Sequence, residues 1–569
     1  MKGAILSWCA IATLTAAAPS ARPNIISFSS SALAAAVIDG STAIESAAEA
    51  LLGDPQGSKA VSTSLSAAIH LATPYGNVTG IKDGPAYRYV LPYAKPPVGS
   101  LRLADPVALP NGTAILNGQK TPAACLQAGI ASSSEDCLYA SLYVPSSGSL
   151  AALPVFVWLE GGSFVSGSET AAGLDGATLA VNGNMIVVVL QYRLGILGFY
   201  RAPSLGLSGN YAVKDVRLAL QVINNLKAFW HNSAKVTLAG QSSGAQLIKT
   251  LLTVPTADAL FSQAILQSPP AAYGDQSAAT GAKLAGYIDQ VSGCSTVACY
   301  RAMSPTHIVN ATTNVYEQAS QHIANISPAE PIRPIIDGSL VVRSFDSAVN
   351  RKLFTRTDRS LIWTSVREEA APEIYTAIGT SPVPSSYFPS IVQGLAPLQQ
   401  KAVLASGLYS VNESDTDGTR NELTLLGTDY IWRCPIQQYA VNMTRQIPSI
   451  YLAQFNQGIA YPDNQAIPYC AGKVCHEDDI FFTFDDGASL NKTQAAISRE
   501  ITARYSAYAH TGSPNAAGYV TWSPVATATR LNLLQIDSIS TVMQTQRSPQ
   551  CGPNALWGRL ARFDAQIAS

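Results

Sequence analysis

Six short segments of almost unbroken hydrophobic residues constrain the fold of this chain more than any other feature. They lie at 154–159 (PVFVWL), 185–192 (MIVVVLQY), 235–239 (KVTLA), 263–266 (QAIL), 360–364 (SLIWT) and 449–455 (SIYLAQF). Strands without apolar–polar alternation are buried on both faces, as in a parallel sheet. Segments with helical spacing lie between them, for example 215–229, and short pieces at 75–93 indicate an antiparallel start. The order predicts an α/β fold with a large, mostly parallel central sheet, helices on both faces and insertions.

The first residues have the pattern of a secretory signal peptide. Lys2 precedes an Ala-rich apolar run at 4–18, and small residues offer cleavage sites between about residues 16 and 21. A mitochondrial presequence would be richer in Arg, and a membrane anchor needs about 20 apolar residues. We therefore expect a signal peptide at 1–18, an N-terminal extension or propeptide at 19–70, and one large domain at 71–569. The protein is then secreted and extracellular, with no transmembrane segment.

The composition excludes several classes of protein. Hydrophobic residues make up 47% and charged residues 13% of the 569 positions, which excludes a disordered chain. Thirty-six basic residues balance 37 acidic ones, so the chain has no electrostatic footprint for nucleic acid. The composition leaves the oligomeric state open.

The cysteine content fits an exported protein. Cys9 falls in the predicted signal peptide and leaves eight cysteines, an even number that suggests four disulfides. No pair has the CxxC spacing of a metal site, so we expect no metal. Seven sequons predict glycosylation at the surface. They begin at Asn77, Asn111, Asn310, Asn325, Asn412, Asn442 and Asn491.

The turn GQSSG at 240–244 carries the predicted chemistry. It follows the strand segment 235–239 and precedes a helical segment at 245–252. A strand–GxSxG–helix order is typical of a nucleophile elbow, in which two glycines allow a tight turn that exposes the serine hydroxyl above the sheet. The pattern predicts that Ser242 is a nucleophile.

A serine nucleophile needs a base, and the base needs a carboxylate that orients it. Among the six histidines, His476 lies in a polar turn after a strand and before an apolar segment, whereas the others lie in helical or solvated contexts. Its position fits the chain order serine, acid, histidine of hydrolases with this elbow. The residues alone leave three acids open, because Asp337, Glu368 and Glu369 all follow strand-like segments before His476.

Further motifs resemble those of the type-B carboxylesterases, the α/β-hydrolases that include cholinesterases and fungal lipases. The resemblance runs from about residue 76 to about residue 557. Its motifs are YAKPPVGSLR at 93–102, SEDCL at 134–138, YRLGILGF at 192–199, Gly-Asn at 209–210 with Asp215, Gln-Ser at 267–268 and CHEDDI at 475–480. This resemblance implies the α/β-hydrolase fold and ester hydrolysis that needs no cofactor.

The resemblance also assigns roles to the candidate catalytic residues. Ser242 resembles the family's nucleophile and His476 resembles its base. Glu369 falls where the family has its acid, although the Gly that follows it in the family is Ala370 here, so Glu368 stays a lesser candidate. The mechanism implied is ester hydrolysis through an acyl-enzyme by a Ser-Glu-His triad.

The segment GGSF at 161–164 resembles the family's oxyanion hole. By position, the donors are the backbone N–H groups of Gly162, Ser163 and Ser243. Three residues depart from the family pattern: its third Gly is Ser163, its Ala after the nucleophile is Ser243, and its Glu before the nucleophile is Gln241. If its position needs a positive φ, Ser163 carries backbone strain.

The resemblance implies a pairing for the cysteines and two buried ion pairs. The disulfides are Cys125–Cys137, Cys294–Cys299 and Cys434–Cys551, which leaves Cys470–Cys475 directly before His476. The ion pairs are Arg193–Asp215 and Arg102–Glu135, and we expect them to be structural.

The substrate class follows from the loop that the first disulfide closes. In this family that loop forms the lid of lipases and holds a choline-binding Trp in cholinesterases. Here it spans 126–136, only 11 residues with no aromatic side chain. We therefore expect small to medium uncharged esters as small-molecule substrates, and Glu160 beside the oxyanion hole either disfavours anionic ones or hydrogen-bonds inward. The alternatives are a triacylglycerol lipase or sterol esterase with a lid built elsewhere and, more remotely, an inactive cholinesterase-like binding protein.

Overall fold

The hydrophobic segments form one sheet, which has thirteen strands among the described residues. The computed structural model describes residues 69–557 except 147–148, 325, 328, 380–381, 486–489, 526–529, 547–548 and 553–554. The predicted signal peptide, nearly all of the predicted extension at 19–70, Cys9 and the sequon residue Asn325 lie outside the described residues.

The sheet is parallel in its centre and antiparallel at its ends. Its strands are β1 Ile69–Thr73, β2 Gly76–Asp83, β3 Ala86–Pro92, β4 Ile115–Asn117, β5 Tyr139–Pro145, β6 Val155–Leu159, β7 Ile186–Leu190, β8 Val236–Gln241, β9 Gln263–Gln267, β10 Ser360–Val366, β11 Ser449–Phe455, β12 Arg530–Ile536 and β13 Thr541–Gln546. Their spatial order is β1-β2-β3-β5-β7-β6-β8-β9-β10-β11-β12-β13, and β4 pairs with β2. All pairings from β7 to β12 are parallel. The pairings β1–β2, β2–β3, β3–β5, β5–β7 and β12–β13 are antiparallel, in agreement with the predicted antiparallel start, whereas β4 pairs parallel with β2.

Helices connect the strands. The α-helices are α1 Ala177–Gly183, α2 Gly195–Phe199, α3 Tyr211–Phe229, α4 Ser243–Leu251, α5 Ala278–Ser292, α6 Val297–Ala302, α7 Pro305–His322, α8 Phe345–Arg351, α9 Ala371–Ile378, α10 Phe388–Leu395, α11 Gln400–Ala405, α12 Gly418–Gly427, α13 Cys434–Met443, α14 Pro462–Gln465, α15 Ile480–Phe484 and α16 Lys492–Thr511. A π-helix at Thr428–Arg433 joins α12 to α13. Within the described ranges, no helix has the length and apolar character needed to cross a membrane.

Strand β6 shows why the central strands are hydrophobic without alternation. Val155, Val157 and Leu159 belong to the larger hydrophobic core. Phe156 and Trp158 point to the opposite face and belong to a second core. Successive side chains of a strand point to opposite faces, so a strand covered on both sides is apolar at every position. The predicted strand segments end within two residues of the observed ones, and the predicted helix at 215–229 begins four residues earlier, at Tyr211.

The cysteines and the two ion pairs lie as the resemblance implied. The disulfides are Cys125–Cys137, Cys294–Cys299, Cys434–Cys551 and Cys470–Cys475. In the fully buried pair, Arg193 Nη2 lies 2.6 Å from Asp215 Oδ1. Arg102 Nε donates to Glu135 Oε2 at 2.7 Å. Both pairs tie loops to the core and lie outside the elbow turn.

The described sequons lie mainly at the surface. The exposed asparagines are Asn77, Asn111, Asn310, Asn412 and Asn491. Asn442 lies half-buried on α13, where a glycan has less room. Glycan attachment at these positions stays a prediction.

Candidate active site

Ser242 lies in the sharp turn between β8 and α4. Its backbone adopts φ 53° and ψ −125°, a positive φ that is uncommon for a residue with a side chain and that agrees with the predicted nucleophile elbow. Two hydrogen bonds hold the turn. Ser242 N–H donates to Gln267 O on β9, and Gln246 N–H donates to Ser242 O, both at 2.9 Å. Ser242 is thereby held at the carboxyl end of β8, the edge at which open α/β sheets bind ligands.

Two glycines are required here because backbone segments approach closely around Ser242. A Cβ at Gly244 would lie 2.2 Å from the carbonyl oxygen of Leu159, at the end of β6. A Cβ at Gly161 would lie 3.0 Å from Ser242 Cβ. The first distance is shorter than real Cβ contacts, and the second is so tight that a neighbouring atom would have to shift. The second one also shows that the segment 161–164 lies directly beside Ser242.

Glu369 and His476 form a buried hydrogen-bonded pair, although 107 residues separate them. His476 Nδ1 lies 2.6 Å from Glu369 Oε2, and because a carboxylate only accepts, this nitrogen carries the proton. The other carboxylate oxygen, Oε1, accepts from the backbone N–H of Val366 at 2.8 Å. Glu369 is fully buried, and both of its oxygens have partners. The orientation of the carboxylate, and with it the imidazole tautomer, is therefore fixed.

The second ring nitrogen of His476 faces the residue before Ser242. Gln241 Nε2 lies 3.2 Å from His476 Nε2, and Gln241 Oε1 is buried without a partner. Among the hydrogen bonds of the described residues, none joins Ser242 Oγ to His476. The Gln241 amide therefore donates to the lone pair that a base would use, and proton transfer from Ser242 requires Nε2 to exchange partners. From the sequence, Gln241 was visible as a departure from the family, but this contact was not predicted.

Trp432 covers the imidazole of His476. The two ring centroids lie 5.5 Å apart with an interplanar angle of 53°. The indole is fixed by its own hydrogen bond, in which Nε1–H donates to the backbone oxygen of Ser268 at 3.1 Å. Trp432 lies on the π-helix at Thr428–Arg433, whose irregular geometry no sequence pattern predicted.

Three backbone N–H groups beside Ser242 are available to a ligand. Gly162 and Ser163 lie in the loop after β6 with φ of 105° and 53°, and no acceptor for their N–H groups exists among the described residues. Ser243 is the first residue of α4, where the N–H has no partner within the helix. Unpaired N–H donors beside a serine are what an oxyanion hole requires. The positive φ of Ser163 carries strain of about 1–2 kcal/mol, because its position suits glycine.

Glu160, which precedes this loop, hydrogen-bonds inward. Its Oε2 accepts from the indole Nε1–H of Trp158 at 3.0 Å. Burial raises the pKa of Glu160 to about 7. Sequence reasoning left open whether Glu160 repels anions or bonds inward, and the structure shows the second arrangement while keeping the carboxyl group at the site.

Further carboxyl groups set the electrostatics around His476. Burial lowers the pKa of His476, but the hydrogen bond and charge of Glu369, with the charges of Glu373 and Glu477, raise it, and the net direction is upward. Burial in turn raises the pKa of Glu373 and raises that of Glu477 to about 8. Sequence reasoning missed this cluster, although Glu477 adjoins His476 and Glu373 lies four residues after Glu369.

The other two acids considered from the sequence have different partners. Asp337 Oδ1 accepts from the backbone N–H groups of Ser339, Leu340 and Val341, so it closes a turn. Glu368 accepts from Arg367 Nε through Oε1 and from the backbone N–H of Val474 through Oε2. The structure therefore brings Glu369, and neither of these two, to His476.

Among the described residues, few potential metal ligands lie close together. One group of potential ligands lies close together, with Asp429, Cys434 and Cys551 within 4.8 Å of one another. Cys434 and Cys551 are joined in a disulfide, so neither provides a thiolate. That no cofactor is needed stays a prediction.

The parallel sheet and the serine elbow at the end of β8 define an α/β-hydrolase, and solved structures share this fold. The chain aligns with a thermophilic PNB esterase at a TM-score of 0.72 and 23% identity, covering 85% of this chain and 99% of that one. A second PNB esterase aligns at 0.71 and 24% identity, covering 84% and 98%. The predicted fold class is confirmed.

Sequence comparison identifies the family. The profile of the carboxylesterase family matches residues 67–553. Acylcarnitine hydrolase of Mus musculus is 27% identical over 492 residues, which cover 80% of this chain and 84% of the relative. Acetylcholinesterase of Bungarus fasciatus is 27% identical over 536 residues, 86% of each chain. Fumonisin B1 esterase of Sphingopyxis macrogoltabida is 34% identical over 292 residues, 48% of this chain and 51% of the relative. The chain belongs to the carboxylesterase family and is a carboxylic-ester hydrolase, as predicted.

Proposed function

We propose that this protein is a secreted serine esterase that hydrolyses small to medium uncharged esters through an acyl-enzyme. Ser242 is the nucleophile, His476 the base and Glu369 the acid. The observation that supports the proposal most is the buried 2.6 Å hydrogen bond between His476 and Glu369, next to a serine on a positive-φ elbow. These are the three parts that a serine hydrolase needs.

In the first half-reaction, Ser242 Oγ attacks the carbonyl carbon of the ester and its proton passes to His476 Nε2. The N–H groups of Gly162, Ser163 and Ser243 stabilise the oxyanion, typically the largest single contribution. The ester C–O bond then breaks, and the alcohol leaves with the proton from Nε2.

In the second half-reaction, a water molecule attacks the acyl carbon while His476 Nε2 accepts its proton. The bond to Ser242 Oγ breaks, Oγ regains the proton and the free acid leaves. Throughout, Glu369 holds the Nδ1–H tautomer and stabilises the imidazolium.

The substrate class rests on two features of the site. The Cys125–Cys137 disulfide closes a loop of 11 residues without an aromatic side chain, too short for a long interfacial lid. The carboxyl groups of Glu160 and Glu477 lie near the proposed base, and once ionised they repel an anionic substrate. Small to medium uncharged esters need no interfacial lid, and these carboxylates do not repel them.

One surface segment favours a second candidate function, that of a lipase. Between residues 374 and 412, Lys401 is the only charged residue. Tyr387, Leu398 and Leu404 in this segment are 54%, 62% and 42% exposed. Exposed apolar side chains in an uncharged segment suit contact with a lipid surface.

A substrate series separates the two candidates. We expect p-nitrophenyl esters of two to eight acyl carbons to be hydrolysed with the highest kcat/KM while they are monomeric. We also expect no rise in rate when a triglyceride passes its solubility limit. A sharp rise at that limit, with longer chains preferred, would replace the esterase assignment by the lipase one.

Secretion is supported by the predicted signal peptide, the four disulfides and the exposed sequons. Disulfides persist in oxidising compartments. Protein recovered from the culture medium of an expressing eukaryotic host should begin between about residues 17 and 71 and should lose mass on treatment with an N-glycosidase. Retention in the cell with an intact N-terminus would contradict secretion.

A further inference from the structure

The segments that carry the proposed acid and base are tied together directly beside those two residues. Glu368, which precedes Glu369, donates its backbone N–H to the carbonyl oxygen of Val474 at 3.0 Å. The backbone N–H of Val474 donates in return to the Glu368 carboxylate, at 2.8 Å from Oε2. One residue of the acid segment therefore binds both polar backbone groups of a residue that lies two positions before His476.

A small hydrophobic cluster supports the same two segments from another side. Ala371, Tyr469, Cys470 and Cys475 form a cluster that is separate from the two cores of the sheet. The rings of Tyr375 on α9 and Tyr469 stack at 5.9 Å with an interplanar angle of 7°. Helix α9, which follows Glu369, is thereby packed against the disulfide that precedes His476.

The tie matters because the side chains themselves have little freedom left. Glu369 is held through Oε1 by the Val366 N–H, and the backbone oxygen of His476 accepts from Asn464 Nδ2 at 2.6 Å. What remains to be fixed is the spacing between two segments that are far apart in the chain. Displacing a reacting group by about 1 Å costs on the order of 100-fold in rate.

We propose that Glu368 is a positioning residue, whose carboxylate binds the Val474 N–H and so holds the turn before His476 where the imidazole binds Glu369 and faces the residue before Ser242. The inference rests on the proposed function, since it assumes that Glu369 and His476 act as a pair. The hydrogen bond requires an acceptor oxygen at the end of a side chain as long as that of Glu. The carboxylate of Glu and the carboxamide of Gln provide one, whereas a shorter side chain does not reach the Val474 N–H.

The test compares Glu368→Ala, Glu368→Asp and Glu368→Gln in the full-length enzyme. For the Ala and Asp variants we expect kcat on a soluble p-nitrophenyl ester to fall about 10- to 100-fold with KM nearly unchanged. The acid limb of the pH profile should also move to lower pH, because a loosened Glu369 stabilises the imidazolium less. Glu368→Gln keeps an acceptor oxygen and should stay within about threefold of wild type with an unmoved limb.

Arg367→Gln is the matched control, because it removes the partner of Glu368 Oε1 and leaves the bond to Val474 intact. We expect it to be within about twofold of wild type, whereas a loss as large as that of Glu368→Ala would overturn the proposal. Wild-type kcat and pH profile in Glu368→Asp, or a Gln variant as impaired as the Ala variant, would overturn it too. The Asp variant keeps the charge, so it decides the question even if the Ala variant does not fold. Glu369→Gln, assayed in parallel, distinguishes failure of the triad from failure of the positioning role. Full activity of Glu369→Gln would refute the triad. An inactive Glu369→Gln together with fully active Glu368 variants would refute only the positioning role.

Discussion

The turn that carries the proposed nucleophile and the proposed acid–base pair are held in place in opposite ways. Ser242 is flanked by β8 and α4, which are contiguous in sequence, and β8 lies between β6 and β9 in the parallel centre of the sheet. Glu369 and His476 come from segments 107 residues apart and meet through one hydrogen bond, a short backbone tie at Glu368 and a small separate cluster.

Because of this difference, the geometry of the first region depends on the stability of the whole fold, whereas that of the second region does not depend on it alone. The elbow is part of the main core, so its backbone geometry depends on the stability of the whole sheet. Glu369 is bound to Val366 at the end of β10, but the turn that carries His476 depends on a few local contacts, so the geometry of the proposed pair can be lost while the sheet stays folded. Substitutions near His476 should therefore lower the rate even when the sheet stays folded.

The largest effect is expected for Ser242→Ala. Loss of the proposed nucleophile should lower kcat by about 10⁴–10⁶ while the protein stays folded. Ser233→Ala is the control, because this serine is exposed and lies outside the site, and its activity should stay unchanged. Thermal unfolding by circular dichroism checks the fold of both variants. Near-normal turnover by a clean Ser242→Ala preparation would end the assignment of the elbow.

The next largest effect is expected for Glu369→Gln. The amide keeps the shape but stabilises the imidazolium less and permits the wrong tautomer, which predicts a loss of up to about 10⁴ in kcat/KM. Glu368→Gln should cost far less on the same soluble ester. If Glu368→Gln were instead the crippled variant, the acid would have to be reassigned.

A smaller effect is expected from breaking the disulfide before His476. In the Cys470→Ser/Cys475→Ser double variant we expect kcat to fall about tenfold, because the turn carrying the base loses a restraint. Chain-entropy arguments give a stability cost of about 2 kcal/mol for so short a loop.

The Cys294–Cys299 disulfide provides the matched control, because both bridges join cysteines five positions apart. Its double Ser variant should lose similar stability, measured by denaturant unfolding, but no activity. Equal losses of activity in the two double variants would show that the bridge next to His476 has no local role.

The smallest effect expected is a pH dependence in which activity rises with pH while the stability of the fold falls. Burial raises the pKa of Glu160 and Asp479 to about 7 and that of Glu477 to about 8. The folded state therefore binds more protons than the unfolded one, and stability should fall as pH rises from about 4 to 8. The raised pKa of His476 acts in the same direction on stability, whereas catalysis needs the neutral imidazole, so activity should rise with pH and its acid limb should lie above about 6.5.

Melting temperatures at pH 5.5 and 8.5, with kcat/KM across the same range, check this prediction. Glu477→Gln should flatten the fall in melting temperature, because it removes one of the groups that loses its proton. A melting temperature that rises steadily from pH 5.5 to 8.5 would contradict the prediction, because it would show that ionising the buried carboxyl groups does not destabilise the folded state.

The same contrast explains how much of the molecule the sequence predicts. The strands and the serine turn follow from local patterns, because runs such as 154–159 and the GQSSG turn specify their own backbone geometry. The partner of His476 does not follow from local patterns: Asp337, Glu368 and Glu369 all fit the spacing, and only the resemblance to a family favoured Glu369. The contacts of Gln241 and Trp432 with His476 depend on tertiary packing and on a π-helix, for which the residues carry no periodic signal.

Covalent labelling of the active enzyme by an aryl alkylphosphonate ester tests directly whether Ser242 is the nucleophile. Such a compound forms a stable tetrahedral adduct with a serine that an adjacent base activates. We predict one adduct per chain, mapped by mass spectrometry to the peptide containing Ser242, with activity lost in proportion to labelling. Ser242→Ala should take up no label, and Glu369→Gln should be labelled far more slowly. An adduct on a different residue, or full activity after Ser242 is labelled, would contradict the account.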